Sequence, residues 1–138
     1  MHELVMRISD PELCYVFARN ARRNGRPELA LQAHRRAVDL RAEAYPTTCD
    51  VERAAARAVF AYEEALSFAK GKRTRATGTW QMVNRFGVIA AVERRAHSRG
   101  AEDIGAILQE LGMEDYSFDA VRAAYPEVFD TANDQAAA

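Results

Sequence analysis

Two cysteines, three histidines, one tryptophan and four prolines among 138 residues exclude several classes of protein at the outset. Cys14 and Cys49 are too few for a disulfide-stapled scaffold, and with His2, His34 and His97 they form no C-x-x-C, H-x-x-x-H or H-E-x-x-H spacing of the kind that holds zinc. The cysteines are expected to be packing thiols. No apolar run approaches the roughly 20 residues that cross a bilayer, which predicts no membrane partner. The opening MHELVMRISD lacks the basic region and long apolar core of a secretion signal, so a cytoplasmic location is expected. The one phosphate-loop look-alike, Gly71-Lys72-Arg73-Thr74, has Leu66 where the first Walker glycine belongs and arginine after the lysine, so nucleotide hydrolysis is not expected. Nothing points to an enzyme: no catalytic residue, no metal and no cofactor is expected.

No stretch sustains strand alternation either, and what is present is helical periodicity. Ser9-Asp10-Pro11-Glu12 starts a helix whose apolar positions are Leu13, Cys14, Phe17 and Ala21, and Asn24-Gly25 stops it. Pro27-Glu28 opens a second, ended by Tyr45-Pro46. Together they predict an antiparallel hairpin. Thr48 is expected to cap a longer third helix that runs to about Lys70, with Glu63 and Glu64 as solvated or ion-paired acids. From Thr79 the pattern predicts two short helices or one kinked at Gly87, with Trp80, Val83, Phe86, Ile89 and Val92 in the core. Helices over 101–111 and from Ser117 to Pro126 follow, and Val128-Phe129 is expected to tuck back onto the core.

The expected fold is therefore all-α. It is a compact bundle of about six or seven helices, with an N-terminal hairpin, a long third helix and a smaller C-terminal lobe. Residues 1–130 form a single domain, with sub-lobes 9–70 and 79–129 joined by the polar connection 71–78, and 131–138 is expected to be a disordered tail.

The run LCYVFARNARRNGRPELALQAHRRA, residues 13–37, resembles a single tetratricopeptide-type helical hairpin, with Ala18, Gly25, Ala30 and Ala37 where such packing wants small residues. The resemblance implies close helix packing and an interaction surface, and no chemistry.

Charge is the feature that points beyond the fold. Residues 1–69 balance ten bases with ten acids, 70–99 hold eight bases against Glu93, and 101–138 hold Arg122 against nine acids, within a net charge of −1. Such asymmetry bears on partners more than net charge does. Lys70, Lys72, Arg73 and Arg75 on a glycine-bounded loop suit phosphate contact, and Gln81, Asn84, Arg85, Arg94 and Arg95 follow with donors for bases or backbone. Nucleic acid is the first expected partner. The alternatives are an acidic protein surface docked by an adaptor, or a homo-oligomer pairing the basic face with the acidic 102–134 face. A structural account also stands, in which helix ends and the C-terminal acids absorb these cations.

Overall fold

Pro11 and Pro27 each stand at the first position of a helix, where a missing amide removes no helical hydrogen bond. The computed structural model describes residues 1–98 and 101–129. Its elements are α1 (Glu3–Met6), α2 (Pro11–Arg23), α3 (Pro27–Ala44), α4 (Asp50–Lys70), α5 (Thr77–Phe86), α6 (Val88–Ala96), α7 (Ala101–Glu110) and α8 (Phe118–Ala124), with a 3-10 turn at Glu114–Tyr116. No strand occurs among the described residues, and the fold is all-α. The expected tail 131–138, Asp130 and Arg99 lie outside the described residues.

Local chemistry sets most of the boundaries. Asp10 accepts from the Glu12 amide at 2.9 Å and caps α2, and Ser117 accepts from the Ala120 amide at 3.0 Å and caps α8. Cys49, not Thr48, is the residue before α4, because the Thr48 amide and hydroxyl both donate to Glu52, at 2.9 and 2.8 Å. Cys49 is exposed and Cys14 buried, so only Cys14 is a packing thiol. α5 and α6 are separate helices because Gly87 turns the chain between them with φ 91° and ψ 161°.

α4 is the axis on which the rest packs. Its alanines 54, 55, 56, 58, 61 and 65 are buried, and their small side chains let α3, α6, α7 and α8 approach closely. One side of α4 meets Trp80, Val83, Val92, Phe118, Val121 and Phe129, while another meets Val38, Leu108, Leu111, Met113 and Tyr116. A third cluster, Ala18, Ala21, Leu29, Ala30 and Ala33, closes the α2–α3 hairpin. Each large side chain buried here stabilises the fold by about 1.5–3 kcal/mol.

Three apolar expectations fail. Leu13 is exposed because α2 turns its Cys14, Ala18 and Ala21 stripe toward α3. Phe86 is exposed because it lies outside the Trp80–Val83 stripe, at the last residue before Gly87. Phe129 returns to the core, but Val128 beside it stays exposed.

The connection after α4 is fastened down. The Thr74 amide donates to Ser67 Oγ at 2.9 Å, and Ser67 Oγ donates to the Glu63 carbonyl at 2.9 Å. Glu63 Oε2 then accepts from the Ala76 amide at 2.9 Å and from Trp80 Nε1 at 2.6 Å. Residues 72–76 therefore lie along α4 beside α2.

Candidate anion-binding cleft

Arg19, Arg22 and Arg23 follow one another at i, i+3 and i+4, the spacing that groups side chains along one side of a helix. The hairpin lays that side of α2 opposite Gly71, Lys72 and Arg73. Between them is a cleft of about 500 Å³, walled by the three arginines on one side and by Lys72 and Arg73 on the other, with His34 and Phe68 between. Among the described residues, no acid lines it.

A hydrogen-bonded chain beneath the cleft ties its two walls together. Arg73 makes a forked pair with Glu64, at 2.8 and 3.1 Å. His34 Nδ1 lies 2.7 Å from Glu64 Oε1, and Arg22 Nη2 lies 2.8 Å from His34 Nε2. A guanidinium only donates, so His34 Nε2 accepts, and Nδ1 carries the proton that it donates to Glu64. Burial alone would raise the Glu64 pKa, but the hydrogen bonds from His34 and Arg73 outweigh it and hold the carboxyl below the ordinary range. Tyr15 supports the same wall. Its ring lies 3.8 Å beneath the Arg73 guanidinium carbon, and its hydroxyl accepts from Arg41 Nε at 2.9 Å.

The nine residues expected to contact an anionic partner separate into distinct groups. Lys70, Lys72 and Arg75 are exposed, and none pairs with an acid among the described residues. Arg73 is committed to buried Glu64, so it shapes the cleft more than it adds free charge. Gln81, Asn84, Arg85 and Arg94 are exposed on α5 and α6, away from the cleft lining. Arg95 is half-buried: its guanidinium carbon lies 6.0 Å from the Tyr62 ring centre, and a Cβ at Gly78 would come within 3.1 Å of its Nη2. Trp80 is in the core as expected, buried and giving its indole N–H to Glu63, so it offers no ring face to a base.

The acidic C-terminal third does not absorb the basic loop among the described residues. Asp115 forms a forked pair with Arg35 of α3 at 2.9 and 2.7 Å, and the one base of that third, Arg122, donates to Glu93, the single acid of 70–99, at 2.9 Å. Helix ends account for part of the charge, since α2 and α4 both finish at the cleft. Two helix C-termini present about one negative charge in all, against Arg19, Arg22, Arg23 and Lys72, none of which pairs with an acid among the described residues. A net surplus of about three positive charges therefore remains.

His34, Glu64 and the three α2 arginines are the residues that sequence reasoning missed. The balanced charge of residues 1–69 concealed the arginines, although their spacing was there to be read. Glu64 and His34 carry no such signal, because only the α3–α4 packing brings them together. Comparison with known proteins found no family model, no curated protein and no solved structure that matches this chain.

Proposed function

We propose that this protein binds nucleic acid without catalysis, holding the phosphate backbone in the cleft between α2 and residues 71–73. The observation that carries this reading is the convergence of Arg19, Arg22, Arg23 and Lys72 on one cleft that no acid lines among the described residues. Phosphate recognition requires several cations that approach together, and guanidinium groups are suited to it because their forked donors match phosphate oxygens. Lys70 is exposed beside Gly71 at the cleft, whereas Arg75 lines a neighbouring pocket with Glu12, Glu63 and Glu64.

The test is salt-titrated binding of single- and double-stranded DNA and RNA to the wild type, to Arg19→Ala/Arg23→Ala, and to Lys70→Ala/Lys72→Ala/Arg75→Ala. Binding that is steeply salt-dependent and weakened by both variants supports the proposal. Absence of binding at low salt, or undiminished binding by both variants, rejects it.

A second reading is an adaptor that docks an acidic protein on the hairpin. One observation favours it: Leu13 and Val16, both exposed, continue into Arg19 and Arg23 along α2, so an apolar end and a basic end share one surface. Capture of an acidic protein from nuclease-treated extract, abolished in Leu13→Ser/Val16→Ser, separates this reading from the first.

A further inference from the structure

Phe86 is 43% exposed at the end of α5, in a setting unlike that of a scattered surface apolar residue. The Arg94 guanidinium carbon lies 3.9 Å from its ring centre and the Arg85 guanidinium carbon 5.3 Å. Neither arginine pairs with an acid among the described residues. Gln81 and Asn84 are exposed on the same short helix. The backbone beneath is firmly placed, because Trp80 and Val83 bury the other side of α5 against α4 and Gly87 turns directly into α6.

We propose that Phe86, with Arg85 and Arg94, is a stacking platform for an unpaired base, so that the strand bound by this protein is single. This inference rests on the nucleic-acid reading above and adds the class of strand. A duplex keeps its base faces stacked on one another, whereas an unpaired base offers its face to an aromatic ring. Contact between a cation and an exposed ring is weaker than base stacking, so an arriving base displaces a guanidinium or takes the open part of the ring. The released guanidinium then either reaches the flanking phosphate or lies flat on the base. Trp80 cannot serve in its place, being buried and hydrogen-bonded to Glu63.

The experiment compares a labelled oligothymidylate with an abasic oligonucleotide of the same length, which carries the phosphates without the bases. The proteins are the wild type, Phe86→Ala and Phe86→Trp. Phe86→Ala should weaken oligothymidylate binding by about 5- to 150-fold, the range that loss of one base stack gives, and leave abasic binding unchanged. Phe86→Trp should retain affinity, and its emission should be quenched by the oligothymidylate but not by the abasic strand, against a constant background from buried Trp80. Unchanged oligothymidylate binding by Phe86→Ala overturns the platform. Equal loss on both strands overturns it as well, since Phe86 would then act through the fold or the neighbouring cations. If the wild type binds neither strand at low salt but binds a duplex, the platform falls and the nucleic-acid reading stands, whereas binding to no nucleic acid at all overturns both. If the wild type binds both strands and only Phe86→Ala is without effect, the cleft stands and the platform alone falls.

Discussion

Glu64, 3% exposed in the middle of the fold, accepts hydrogen bonds from Nη1 and Nη2 of Arg73, nine residues further along the chain. The pair settles what the basic loop is. One of its cations is an internal anchor that presses the loop onto α4, and this leaves Lys72 facing α2 across the cleft. Removing Arg73 leaves a buried carboxylate with His34 as its remaining partner. Arg73→Ala should cost about 1–3 kcal/mol, below the range of about 3–5 kcal/mol for a fully buried pair because the guanidinium is nearly half exposed and water partly replaces it. Glu64→Ala should cost about 1–3 kcal/mol, since it strands the buried Nδ1 donor of His34 while water takes up part of the Arg73 guanidinium. Urea unfolding midpoints measure both, and a neutral Glu64→Ala would contradict the central role of this carboxylate.

Acid should undo the same network. The folded Glu64 pKa lies below that of the unfolded chain, so the protein binds fewer protons folded than unfolded. Its contribution is fully present above the ordinary glutamate value of about 4.3 and is lost as the pH falls through the lower folded value. Asp115, held down by Arg35, acts in the same direction. Thermal midpoints of the wild type should therefore fall steeply below about pH 4.5, and those of Glu64→Gln should fall less.

Gly87 carries a positive φ of 91° with an extended ψ of 161°, a conformation closed to residues with a Cβ. A Cβ there meets nothing within 4 Å, so any penalty comes from the backbone alone. Gly87→Ala should destabilise by about 1–3 kcal/mol. It should also disturb Phe86, the preceding residue, so single-strand binding should weaken more than abasic binding. A stability equal to wild type would show that the α5–α6 turn relaxes to another conformation.

The two thiols should differ in reactivity. Burial raises the Cys14 thiol to about 11, and its side chain is inaccessible, whereas Cys49 is exposed before α4. Titration of the native protein with a thiol reagent should modify Cys49 alone, with Cys14 reacting only in denaturant. Rapid reaction of both would place α2 off the hairpin for part of the time.

Salt dependence offers a measure of how many cleft cations reach the strand. Removing one cation that neutralises a phosphate should lower the slope of log affinity against log salt by about 0.7 for a single strand. Arg19→Ala/Arg23→Ala should therefore flatten it by about 1.4. An unchanged slope would show that the strand bypasses α2.

Local chemistry alone determined where this chain turns. Pro11, Asn24-Gly25, Pro27, Tyr45-Pro46, Gly87 and Ser117 act on their own backbone within a few residues, so every helix but the four-residue α1, too short to show a period, could be placed from the sequence, and with them the all-α fold. The excess of positive charge at 70–99 was equally plain. Tertiary packing decided which charges act together, because those relationships span long separations that no local pattern records. Only the α3–α4 contact sets His34 against Glu64, thirty residues apart. Only the hairpin's seating on α4 brings the α2 arginines, hidden in a segment of balanced charge, across from Lys72. The rotation of each helix about its own axis decided the rest. Several faces of α2 and α5 carry apolar side chains, and packing chose Cys14 and Trp80 for the interior while leaving Leu13 and Phe86 at the surface.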